Sequence, residues 1–450
     1  MEQQSSKKWL WISLGGVFIL LIIGGLWWFF VRGSEVGETI GQLFPFGAPT
    51  ESTAQGGNNN NDSTFDQTGG FETNSQEQMF RQLASVPVAG AYTLIRGGVE
   101  YVRYVEKETG HTYEIALKGG VAQQLTNTTI PRIALADWAD NGNAVVLRTL
   151  EKNPLSGREV VKTHLGRIKL SSASSSDQTM ALDVEFLPDN IIALSVAEDG
   201  KNLFYLRKTA NGSAGSIFNV GTKKTTAVFQ SPFSEWLPQL LNDDTVLLTT
   251  KPSGNVAGYS YRYDSKTKTL ERLVRAKKGL TTLGTMTGSR VLYGENISQN
   301  IALSVYNKAG FSGDEGVRIY ESTVPLSTLP EKCAWQRDGI RLLCGSFLSN
   351  PSGLIPDTWY QGVVSFSDTF WSTDTNTGTV TFLADPKTEI QQEFDVVHPL
   401  ISSNEDYFIF INKKDEMLWA MRIPEKTAVS DTETLPADLS PAELQDAQGS

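Results

Sequence analysis

Between residues 87 and 424, runs of four to eight residues that alternate apolar and polar with period two, bounded by turn residues, recur with no long helical period, which predicts an all-β fold. Their regular return predicts a β-propeller of seven blades, within a range of six to eight, because a four-stranded unit repeated every 40 to 50 residues or so is how a blade is written in sequence. The runs include 99–105, 112–117, 144–148, 202–207, 245–249, 290–293, 341–344 and 407–411. A turn followed by an apolar strand returns at Asp140-Asn141-Gly142, Asp199-Gly200, Asn242-Asp243-Asp244, Thr287-Gly288-Ser289, Asp338-Gly339 and Asn404-Glu405-Asp406. Second turns, such as 106–110, 264–268 and 374–378, lead into short outer strands such as 269–273 and 380–383.

These markers place blades at 88–130, 131–182, 183–232, 233–279, 280–327, 328–386 and 387–424. The last has room for only three strands. The segment 81–90 resembles 124–133, where an outer strand runs into the next inner one, so 80–85 is a candidate for the missing strand. A short helix from Ser75, capped by a Ser75-x-x-Gln78 box, is the competing reading.

The remaining organisation follows from composition. Residues 1–8 form a polar stub with Lys7 and Lys8. Residues 9–31 carry no charge, end in tryptophan pairs (Trp9 and Trp11, Trp27 and Trp28) and are followed by Arg32. At about 1.5 Å per residue such a run crosses a bilayer as one helix. The cationic flank predicts a cytoplasmic N-terminus and an extracytoplasmic remainder. A cleaved signal peptide would need a shorter apolar core and small residues before its cleavage site, whereas this run ends in bulky ones. Residues 32–79 read as a disordered polar tether, 80–424 as the propeller, and 425–450 as a disordered acidic tail.

Of the formal net charge of −11, residues 33–86 carry −6 and 425–450 carry −5, while 1–32 carry +2, leaving −2 for 87–424. A near-neutral body argues against nucleic acid as a partner.

The residues 335–343, beginning Trp335-Gln336-Arg337-Asp338-Gly339, and the closing run 418–423 resemble TolB-type and WD40-like propeller repeats. The propeller of dipeptidyl-peptidase-like proteins is similar too. The stretches 101–105, 127–132, 332–335, 357–362 and 411–415 resemble an uncharacterised group of membrane-anchored bacterial propellers from small-genome candidate phyla. The resemblance implies the propeller fold and carries over no functional residue. Dipeptidyl peptidases follow the propeller with a hydrolase domain, whereas the 26 residues of the sequence after Pro424 are not expected to form one, and the sequence holds no G-x-S-x-G elbow.

Catalytic chemistry is not legible. The histidines His111, His164 and His398 fall in different predicted blades, so no metal site or cofactor is assigned. Residues 374–378 half-match a calcium loop but read as a hairpin turn.

Two features stand out. If Asp338-Gly339 is a two-residue hairpin turn, Cys333 and Cys344 face each other across two strands, within disulfide range. The alternatives are a cross-strand bond, favoured outside the cell, and two buried thiols. The second feature is an insertion at 347–362 with Pro351, Pro356 and Asp357-Thr358-Trp359-Tyr360. It is either a displayed binding loop with Trp359 and Tyr360 as central contacts and Asp357 at the edge, or a loop folded back with Trp359 as its core.

The functional expectation is a membrane-anchored envelope module that binds or scaffolds a protein, peptide or glycan. The alternative is a propeller hydrolase or lyase with acidic residues at the central channel.

Overall fold

The computed structural model describes residues 78–424 except 154–156, 158, 170–179, 298–299, 311–316 and 348–352. The expected membrane helix at 9–31, the tether up to residue 77 and the acidic tail lie outside the described residues. Among the described residues, no helix is long and apolar enough to cross a membrane.

Seven separate four-stranded antiparallel sheets make up the fold. Six of them contain four consecutive strands, and neighbouring sheets contact one another in sequence, mostly through their first strands, with blade 7 returning to blade 1. This is a seven-bladed propeller. First-to-second and third-to-fourth hairpins lie at one end, the lower face. Second-to-third connections and the links between blades lie at the other, the upper face.

Of the runs that revealed the fold, 112–117 is the third strand of blade 1 and the others are second strands, whose composition has a physical cause. Each is covered on both faces by neighbouring blades, so it reads as a continuous apolar run and not as an alternation. Val145 to Leu147, Leu203 to Leu206, Val246 to Leu248, Val291 to Tyr293, Leu342 to Cys344 and Phe408 to Phe410 are all at most 1% exposed. Fourth strands, covered on one face, carry exposed apolar residues such as Leu270 and Phe382.

Blade boundaries fall close to the expected ones, with one difference. The fourth strand of blade 2 is Ala181–Phe186, so 183–186 belong to blade 2 and not to blade 3. Register decides this: Arg167 pairs with Asp183 and His164 with Phe186.

Blade 7 contains Val396–Ile401, Tyr407–Asn412 and Leu418–Arg422, and its fourth strand is Phe80–Gln82 from the other end of the domain. Phe80 pairs with Met421, Arg81 with Ala420 and Gln82 with Trp419. Phe80 is buried against the rings of Phe370 and Phe394, with centroids 5.4 and 5.7 Å away. Arg81 then reaches into blade 1, its Nη1 donating to the carbonyls of Ala116 and Leu117 at 2.7 and 2.9 Å. The segment is a strand and not the competing helix, because only the strand supplies partners for the open edge of Leu418–Arg422.

Close approach between blades requires glycine at particular points. Gly200 has φ +68, and a Cβ there would stand 2.7 Å from the Asp140 amide of the neighbouring blade. A Cβ on Gly90 would meet the Ala136 carbonyl oxygen at 1.9 Å, so the first strands of blades 1 and 2 pack backbone to backbone.

In blade 6, Cys333 pairs directly with Cys344, and the two are joined by a disulfide. Both are buried in one apolar cluster with Leu292, Leu303 and Leu342.

Two outcomes follow. Phe80→Ala should cost about 3–5 kcal/mol, as large-to-small core changes do, measured by denaturant unfolding. An unchanged midpoint would show that the ring does not depend on its closing strand. Reduction of the disulfide, which closes a short loop, should lower stability by about 2–3 kcal/mol at most and leave a folded domain. Thermal unfolding with and without reductant checks this, with intact mass confirming the bond.

Candidate functional site

The insertion joins the second and third strands of blade 6, Arg341–Phe347 and Asp368–Asp374, and so lies on the upper face. Its described part, 353–367, contains a helical turn at Asp357–Tyr360. Of the three residues expected to be displayed, Trp359 is buried and Asp357 and Tyr360 are partly exposed and engaged in hydrogen bonds. Trp359 is 3% exposed, in a cluster with Phe347, Ile355 and Phe366. Asp357 Oδ2 accepts from the Gly254 amide of blade 4 at 2.6 Å. The Tyr360 hydroxyl donates to Glu331 Oε1. Trp359 is thus a core residue of a loop that folds back, which is the second of the two readings of this insertion.

The loop covers more than its own blade. The Ile355 carbonyl accepts from Asn296 Nδ2 of blade 5 at 3.1 Å, and the Trp359 carbonyl accepts from Lys413 Nζ of blade 7. It therefore bridges blades 4 to 7.

Beneath it lies a charged cluster with no exposed side-chain surface. Lys332, just before the first strand of blade 6, sits between Asp368 Oδ2 at 2.7 Å and Asp395 Oδ1 at 2.5 Å. Its ammonium faces the rings of Trp359 and Phe366 at 5.2 and 4.9 Å. Asp395 holds the loop down. It accepts Trp359 Nε1 at 3.0 Å on both oxygens, Ser365 Oγ at 3.0 Å and the Phe366 amide at 3.1 Å. Asp368 Oδ2 also accepts the Val396 amide at 2.7 Å, which ties blade 6 to blade 7. Asp368 Oδ1 is buried with no hydrogen-bond partner among the described residues.

The electrostatics follow from this packing. Burial pushes the Asp368 carboxyl up to about 6, against the pull of Lys332 and with the push of Asp395. Burial works to raise Asp395 as well, but the charge and hydrogen bond of Lys332 hold it below the ordinary range. Burial alone would lower Lys332, and the two carboxylates override it and raise it. Glu331 is raised by burial, and Lys413 is lowered by it.

Three acids with shifted protonation thus gather on the upper face; Asp368 and Asp395 are sealed under the loop, and Glu331 accepts from the Tyr360 hydroxyl. Their chemistry is that of a latch: one ammonium and several donors hold the buried carboxylates of Asp368 and Asp395, with Asp368 Oδ1 alone of their four oxygens left without a partner among the described residues.

The histidines are dispersed. His111 lies in blade 1 near Thr129, His164 in blade 2 against Phe186, and His398 in the first strand of blade 7 at φ +49. Among the described residues no group of three or more His, Cys, Asp or Glu could hold a metal ion. Residues 374–378 form a hairpin turn, in which Asp374 Oδ1 accepts the amides of Asn376 and Thr377.

Sequence reasoning missed Lys332, Asp368 and Asp395. Lys332 and Asp395 occupy the same place in successive blades, directly before the first strand. That shared position with opposite charge was the available signal.

No family model matches the chain, and no curated protein matches it either. Among solved structures, the propeller is similar to an oligogalacturonate lyase in complex with manganese, at 12% identity and TM-score 0.47 over 77% of this chain and 99% of that one. It is similar to the Cps50 (Swd1) β-propeller domain of Myceliophteria thermophila, at 8% and 0.47 over 76% and 98%. It is also similar to TolB from Acinetobacter baumannii, at 13% and 0.37 over 74% and 79%. These likenesses bear on fold and carry no argument about activity; the propeller assignment stands on the strand pairing.

Lys332→Met should destabilise by about 3–5 kcal/mol, because it leaves two buried carboxylates without their cation. Trp359→Ala should cost about the same through cavity formation. Either variant unfolding at the native denaturant midpoint would contradict the latch. For pH, the folded Asp368 value lies above its unfolded one. The stability it contributes is present below about pH 4 and is lost as pH rises through about 6. Between pH 7 and 5 the native protein should therefore gain melting temperature relative to Asp368→Asn. Parallel curves would remove Asp368 from the pH response.

Proposed function

We propose that the chain is a membrane-anchored extracytoplasmic propeller that acts as a binding or scaffold module for a protein, peptide or glycan of the cell envelope. The observation that carries this reading is the locked insertion. Its aromatic and charged side chains are spent on fixing it across four blades, while Val363 at its end stays 72% exposed. A loop held this rigidly presents a surface with little ordering cost on binding. Asp357, Trp359 and Tyr360 serve such binding by positioning the loop, and Trp359 makes no direct contact. The anchor reading rests on the uncharged run at 9–31 and its flanks.

The alternative, a hydrolase or lyase at the central channel, has one observation in its favour. Asp137, half-buried on the first strand of blade 2, has its carboxyl pushed up to about 6 by burial, against the pull of Arg148.

Protease added to intact spheroplasts should release a soluble fragment of roughly the size of residues 80–450, by cutting the polar segment that precedes the propeller. Full protection would overturn the topology. Cross-linking in membranes should capture a partner with the native protein. Loss of a turnover activity in Asp137→Asn, with no partner captured, would favour the enzyme.

A further inference from the structure

The upper face of blades 4 to 6 carries an unusual combination of side chains. Val256 is 64% exposed in the second-to-third connection of blade 4, Ile297 is 48% exposed at that of blade 5, and Val363 is 72% exposed at that of blade 6. The three connections are fastened to one another. Gly254 donates its amide to Asp357, and Asn296 donates its side-chain amide to the Ile355 carbonyl. The amides of Val256 and Gly279 both donate to the Ser253 carbonyl, which brings the end of the fourth strand of blade 4 into the same turn. That strand, Thr269–Lys278, supplies Arg275 and Lys278, both exposed and without an ion-pair partner among the described residues. The nearby carboxylates are already engaged: Glu235 with Lys251, Glu295 with Lys277, and Asp357 with the Gly254 amide.

We infer that this face docks an acidic polypeptide segment carrying aliphatic side chains, which would cover Val256, Ile297 and Val363 and place carboxylates against Arg275 and Lys278. The inference rests on the binding reading above and names the class of partner. Charge complementarity selects the occupant. Two free cations stand here on a body that carries −2 over 87–424, beside aliphatic surface that a purely polar chain would leave wet. The aliphatic residues favour a polypeptide over an anionic glycan.

The test uses the full chain in detergent micelles to pan a random-peptide display library at low salt, then measures the enriched synthetic peptides by fluorescence anisotropy. The expected peptides are acidic and contain Leu, Ile, Val or Phe. Val363→Asp, and separately Arg275→Glu with Lys278→Glu, should each weaken them by about tenfold or more, at unchanged melting temperature. The native affinity should fall severalfold between about 50 and 300 mM salt. Enriched peptides that are basic or neutral, or that bind both variants as well as the native chain, overturn this surface and leave the binding reading standing. Capture of a soluble polyuronate in place of peptides, lost in the double charge reversal, overturns the polypeptide class and keeps the face. Binding of no probe overturns the inference, and the binding reading is then decided by membrane cross-linking.

Discussion

Everything in this domain depends on closing a ring with three residues. A propeller blade is a small sheet with two flanks, and each flank is buried only if another blade stands beside it. Phe80–Gln82 completes the last sheet, fills the cluster around Phe370 and Phe394, and lets Arg81 reach the carbonyls of blade 1. Without it, the edge of Leu418–Arg422 would be open and the first blade would lose part of its cover. The doubly covered second strands are a consequence of that closure, since in an incomplete ring two blades would have a wet side.

Within the closed ring, the seam between blades 6 and 7 holds a fully buried cation between two carboxylates. Lys332 and its two carboxylates are placed where an apolar contact would also fit. Buried ion pairs contribute little net stability over well-packed apolar residues, and their effect is felt when one partner is removed. What the cluster does here is specify geometry. Asp395 collects donors from three points of the insertion, and a small displacement of the loop would break several bonds together. The stacked pair Phe347 and Phe366, with centroids 4.2 Å apart, anchors the two ends of the same loop.

The fold was legible in the sequence because its signals are local. Asp-Gly and Asn-Asp turns fix hairpins, and burial on both faces writes continuous runs such as 407–411. The facing of Cys333 and Cys344 followed from one turn, since register in a tight hairpin is arithmetic. The loop was harder to read. Trp359 and Tyr360 look alike whether they are displayed or buried, and the deciding partners, Asp395, Glu331 and Gly254, are distant in sequence. The charge cluster was illegible for the same reason: Lys332 and Asp395 are 63 residues apart, and nothing local to either shows that it is buried. The exposed aliphatic residues of the upper face, in three different blades, come together only through the loop that fastens them.

Ring closure also sets the line along which the molecule would bear tension. The closing strand enters from the lower face, where the Arg422 amide meets the Met79 carbonyl and the Ile423 amide meets Asp406, while the insertion occupies the upper face. A pull between a partner held above and the segment preceding residue 78 runs parallel to Phe80–Gln82. Its hydrogen bonds to Leu418–Arg422 are then loaded side by side in shear, not one after another as in peeling. A closing segment of only three pairings is thereby strained in the direction in which it resists most.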